Sequence, residues 1–247
     1  MADHPSAQDH TEEKHRGSGE ARVRPDLTLL LAVHHGLRRD LRHFLDHVDG
    51  TPVAERGRWE ALCARWDLFA VLVQHCFQWE RLHLWPLLSA AVEEGSRLHV
   101  EATLAITRRR ADSVEAMIES SRPVFERLAH TRDEDALATL RARVRAACGA
   151  LEESLDCEED DVVPLMRRHV ASRAWKESQH RLFETAPREV RGHGLPWLVH
   201  ELPLETATVV AAGWNDRADQ ELSASAEAFR ELETWAFGGV SPTRPGV

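Results

Sequence analysis

Apolar side chains recur at the three-and-four-residue spacing of a single helix face through four long stretches of this chain. Leu27, Leu30, His34, Leu37, Leu41, Phe44 and Val48 form the first stripe, which the segment DGTP (49–52) ends. Residues 58–92 carry the second, through Leu62, Trp66, Phe69, Val73, Cys76, Glu80, His83 and Leu87. A neighbouring face of that segment (Leu68, Leu72, Trp79, Leu82) is also apolar, which predicts burial on two sides. A third stripe runs over 97–129, where Pro123 predicts a kink or an interruption. The fourth covers 134–170 and includes Leu137, Leu140, Val144, Leu151, Ser154, Glu158, Val162 and Leu165. Such spacing is the signature of amphipathic helices. Four of them with short links predict an all-α, up-down-up-down four-helix bundle over residues 24–170.

The remainder is less regular. Residues 171–185 read as a continuation of the fourth helix, RGHGLPW (191–197) as a loop, and 203–213 and 216–236 as shorter helices. Trp175, Trp197, Trp214 and Trp235 predict that this extension, 171–237, packs on the bundle. Residues 1–23 and 238–247 lack periodicity and read as disordered tails. His4, His10 and His15 fall in the first of these, and His43 and His47 read as exposed at the outer end of the first helix.

The 247 residues carry a formal net charge of -10, which argues against broad binding to nucleic acid or to an anionic membrane. No apolar run approaches the ~20 residues that span a bilayer. The polar start offers no signal-peptide core, so a cytoplasmic protein is expected. Cys63, Cys76, Cys148 and Cys157 are dispersed and read as reduced thiols.

One repeat is more specific than periodicity. Glu80 lies six residues before Pro86 in ERLHLWPLL, and Glu158 six residues before Pro164 in EEDDVVPLM. Both glutamates fall on buried stripes, so the second and fourth segments read as related halves of a duplicated helix pair. An ionised carboxylate there needs a cation, a metal or several donors. His34 lies at similar depth, and Cys76, Glu80 and His83 share one face by spacing. In the run EEDD (158–161), only Glu158 lies on the inner stripe.

These segments resemble the hemerythrin-like family, also called the HHE cation-binding domain. The resemblance rests on VHHGLRRDL (33–41), RWDLFAVLVQHCFQWERLHLWPLL (65–88), LEESLDCEEDDVVPLM (151–166) and LPWLVHEL (195–202), and extends over about 27–240. It implies a site in which a His of the first helix, a His-x-x-x-Glu of the second, a His of the third and a His-x-x-x-Glu of the fourth bind two irons, with room for O2. His34, Glu80 and Glu158 match the first imidazole and the two carboxylates. Cys76 and Ser154 stand where two of the histidines are expected, with His75 one residue before the former. Ala111 takes the place of the third-helix His, with Asp112 beside it.

Three readings follow. His34, Glu80 and Glu158 hold one iron or other divalent metal, with Cys76 and His83 as further candidate ligands, for O2-related or oxidoreductase chemistry. Alternatively, these groups bond one another or pair with Arg108, Arg109 and Arg110, in a metal-free bundle that binds a small molecule or a protein. The third reading is a heme in the bundle core with His34, His75 or Cys76 as axial ligand.

Overall fold

The computed structural model describes residues 24–213 and 219–238, and these are helical throughout with no strand among them. Both expected tails, apart from Gly238, and Trp214 lie outside the described residues. Among the described residues no helix is long and apolar enough to cross a membrane.

The first stripe forms α1 (Thr28–Gly50), and the second forms α2 (Arg56–Trp79), a π-helical turn (Glu80–Leu84) and α3 (Trp85–Ala91). The third is α4 (Glu94–His130), which runs through Pro123 without a break. The fourth is α5 (Glu134–Cys157), a second π-helical turn (Glu158–Val162) and α6 (Val163–His169). Asp133 caps α5, its carboxylate accepting from the Ala136 N–H at 2.8 Å. Helix α4 lies along both α5 and α2, and α1 lies along α5. Their inward stripes are fully buried: Leu37, Phe44, Trp66, Phe69, Val114, Leu140, Val144 and Leu151 meet in one core. Near one end Trp66 packs between Phe44 and Phe125, with ring centroids 4.7 and 4.8 Å away. Its indole N–H satisfies the Ile118 carbonyl at 3.1 Å.

The C-terminal part is more regular than its sequence suggests. Helix α7 (Ser172–Glu184) is separate from α6, because Val170 and Ala171 are extended. Residues expected to form a glycine-rich loop instead form α8 (Arg188–Val199), followed by α9 (Leu204–Gly213) and α10 (Asp219–Phe237). Tertiary contacts override the low helix propensity of Gly192, Gly194 and Pro196. Arg39 donates to the carbonyls of Trp197 and His200 at 3.0 and 2.6 Å, placing a cation at the C-terminal end of α8.

Beneath that contact lies a buried ion-pair cluster. Asp40 accepts from Arg39 at 2.7 and 3.0 Å, from Arg65 at 2.5 Å and from the Trp197 indole at 2.9 Å. Arg65 also binds Glu233 of α10, and its guanidinium lies over the Phe44, Phe229 and Phe237 rings. Burial alone would raise the Asp40 pKa, but Arg65 and Arg39 outweigh it and hold the carboxyl below its ordinary range. Three parts of the chain, α1, α2 and the α8–α10 layer, are thus tied through one carboxylate. His43 and His47 of α1 pack on this layer too: both are half-buried against Phe237, rather than exposed. Trp175 and Trp197 are buried as expected, whereas Trp235 is 52% exposed.

Gly36 marks the closest approach of α8 to α1. A Cβ there would sit 2.7 Å from Trp197 Cζ2. Trp197 is held by its own hydrogen bond to Asp40 and has little freedom to retreat. Gly36→Ala is therefore expected to destabilise the fold by about 1–3 kcal/mol in urea unfolding, the usual cost of overpacking. A neutral or stabilising result would show that Trp197 is free to shift.

Candidate metal centre

Each glutamate of the sequence repeat opens a π-helical turn. The Trp85 N–H bonds the Glu80 carbonyl, and the Val163 N–H bonds the Glu158 carbonyl, five residues apart in both cases. Pro86 and Pro164 follow directly. A proline has no N–H, and its ring collides with the carbonyl four residues earlier in an α-helix. The wider π turn relieves that collision, and such turns commonly mark functional sites. The Glu-to-Pro spacing is thus the sequence trace of two matching backbone insertions.

The turns bring Glu80 and Glu158 to His34. All three residues are buried, and one ligand atom from each lies within 4.8 Å of the other two. His34 Nε2 is 3.8 Å from Glu158 Oε2. Four of the inward atoms have no hydrogen-bond partner: His34 Nε2, both oxygens of Glu80 and Glu158 Oε1. Buried polar atoms are normally satisfied, so four orphans in one place require a reason.

The electrostatics point the same way. Burial, then the charge of Glu158, push the Glu80 pKa well above its ordinary value, and Arg81 only partly counters them. Burial also raises Glu158, against the pull of His34 and of the Trp85 indole, whose N–H makes no full hydrogen bond. Two desolvated carboxylates beside an unpartnered imidazole nitrogen form a site whose deficit a cation would fill.

The imidazole is oriented from outside. His34 Nδ1 lies 2.8 Å from Glu159 Oε1, and Arg38 Nη1 reaches the same oxygen at 2.5 Å. The imidazole and the guanidinium hold Glu159 down at a pKa of about 2 against its burial. An ionised carboxylate only accepts, so Nδ1 carries a proton and the ring's other nitrogen, Nε2, faces the core. Sequence reasoning missed Glu159, which stands in an acidic run that reads as a solvated helix face. The available signal was the Glu-to-Pro spacing shared with Glu80, which marks the π turn that alters the register there.

The other expected site residues stand elsewhere. Cys76 is buried one turn before Glu80 but is not within the three-ligand group. It borders an apolar crevice of about 20 Å³ with Val33, Leu72, His75 and Leu198. Burial and the Glu80 charge push its thiol pKa up, away from the thiolate that ligates metals. His83 is half-buried inside the first π turn, where spacing by three residues no longer preserves the face, and it too is outside the group. His75 donates its Nε2–H to the Leu182 carbonyl at 2.8 Å, joining α2 to α7. The three arginines of α4 are exposed and leave the carboxylates alone. Arg108 covers the Trp85 ring at 5.4 Å, and Arg110 donates to the Glu153 carbonyl at 2.8 Å. Comparison of the chain with protein-family models, curated proteins and solved structures finds no match to any of them.

Proposed function

We propose that this chain is a hemerythrin-like protein. In this reading α1, α2–α3, α4 and α5–α6 are the four members of an up-down-up-down bundle, and His34, Glu80 and Glu158 hold iron or a similar divalent metal. The observation that carries the reading is the set of four unpartnered donor atoms at a buried meeting point of three elements. One imidazole and two carboxylates suit a borderline-to-hard divalent ion such as Fe(II) or Mn(II), and leave coordination positions open. Two carboxylates also neutralise a dication within the core, which removes the cost of desolvating either partner alone. A bound redox-active ion would supply electron exchange with O2 or another small oxidant. The protein's own share is to fix three donors, orient the imidazole through Glu159 and surround the site with apolar side chains.

The test is metal analysis of protein purified without a histidine tag and reconstituted anaerobically with Fe(II). Tight, roughly stoichiometric uptake is expected, falling by at least 100-fold in affinity in His34→Ala and in Glu80→Gln. Unchanged uptake in both variants would refute the ligand assignment. Absence of uptake by the wild-type chain would leave a metal-free bundle that binds a small molecule or a protein partner.

A further inference from the structure

The duplicated halves are not equivalent around the site, and their difference is systematic. In one half, the residue after the buried glutamate is Glu159, which binds His34 and, four residues further along α1, Arg38. In the other half, the residue after the buried glutamate is Arg81. It binds Glu115, four residues beyond Ala111 on α4, with a second contact to Asp112 at 3.0 Å. Placing the glutamates on one another makes Glu159 correspond to Arg81, Arg38 to Glu115, and His34 to Ala111. The same inter-helix ion pair is present twice with its charges exchanged. The imidazole occurs only where the acidic partner lies in the π turn.

This pairing has a physical reason. An imidazole that gives its Nε2 to a cation needs an acceptor for its Nδ1–H, and Glu159 is that acceptor. A guanidinium has no acceptor to offer and adds positive charge to that half of the site. Both features of the second half, an alanine at 111 and an arginine at 81, remove support for an ion there.

We propose that the centre is built one-sided for a single divalent ion, with Glu159 as the positioning residue for His34 and with Arg81 fixed in the place of a second cation. The proposal rests on the metal reading above and adds the ion count and the role of Glu159. Two measurements test it. The first is titration of metal-free protein with Co(II), followed by its ligand-field absorption. Wild type is expected to saturate at one ion per chain, and Glu159→Gln and Glu159→Ala are expected to bind 10- to 100-fold more weakly, the usual effect of removing an outer partner of a ligating histidine. The near-isosteric Gln variant controls for folding, checked by its thermal melt.

The second measurement needs no metal. In 15N-detected imidazole spectra of the metal-free protein, His34 is expected to be protonated at Nδ1 in wild type and to shift toward the Nε2–H form in Glu159→Ala. Saturation at two ions, or variants that bind within twofold of wild type, would overturn the proposal. A wild-type His34 protonated at Nε2 would remove the role of Glu159. Failure of wild type to bind any ion would remove the metal reading and the ion count with it, while the tautomer of His34 would still decide what Glu159 does.

Discussion

Asp40→Ala is expected to lower the folding free energy by about 3–5 kcal/mol, because it leaves two buried guanidinium groups without their shared carboxylate. Asp40 and Arg65 are wholly buried, and Arg39 is nearly so. Losing the carboxylate strands charge in the interior, which costs more than the ion pair itself contributes. With domain stabilities of about 5–15 kcal/mol, such a loss takes a large part of the total. Urea unfolding measures it. Amide exchange adds a location: protection should fall first in α8 and α10, which reach the rest of the fold through Trp197, Arg39 and Glu233. A loss below about 1 kcal/mol, or exchange that rises uniformly, would show that the cluster does not fasten this layer. Replacing all of its charged members by apolar residues of similar volume is a different experiment, in which the penalty can vanish.

The second large effect is a stability curve that reverses with metal. Burial and mutual repulsion raise the pKa of Glu80 and Glu158. The fold therefore retains protons that the unfolded chain has released. Where the native state binds more protons, stability falls as pH rises. The fall begins near the unfolded carboxylate value of about 4.3 and continues to the raised folded value, at about 1.4 kcal/mol per pH unit for each proton retained. Below that range this contribution is fully present and pH-independent. Asp40 and Glu159 are shifted the other way, so their contribution disappears only as the pH falls toward their depressed values. In the presence of chelator, Glu80→Gln should therefore be more stable than wild type at neutral pH, with a difference that widens as pH increases. With a divalent ion present the order should invert, since the ion stabilises only the protein that binds it. Parallel urea titrations from pH 4.5 to 8.5 check both limbs. Parallel wild-type and variant curves in chelator would mean that Glu80 is already paired in solution.

Much of the fold was readable because burial follows periodicity. His34, Glu80 and Glu158 interrupt apolar stripes, and each proves to be buried and directed to a common point. Cys76 and His83 were drawn in by the same spacing rule, which assumes an unbroken α-helix. The π turn breaks that assumption for His83, which lies inside it, whereas Cys76 precedes the turn and borders the crevice of Val33, His75 and Leu198 instead. Glu159 failed to stand out for the converse reason, since its register is set by the turn. The Asp40 cluster was invisible for another cause. Arg39, Asp40 and Arg65 sit among many charged residues, and nothing local marks which will find partners from α8 and α10, more than 150 residues away. The glycines of α8 misled because propensity is a weak guide when a buried tryptophan and a capping guanidinium set the backbone.

The two π turns also limit how this chain can change. Each amounts to one additional residue accommodated within a helix. Deleting one residue from a turn would let a regular helix re-form with everything beyond it still facing the same way, but the proline ring would again meet the carbonyl four residues earlier and the glutamate would lose its aim. A further residue inserted there and not absorbed would instead rotate the helix beyond by about 100°, turning Trp85 and Leu88, or Val163 and Met166, from the interior toward solvent. Length variation between each glutamate and its proline is therefore closed to drift, whereas the outer ends of the same helices can lengthen or shorten without disturbing the centre.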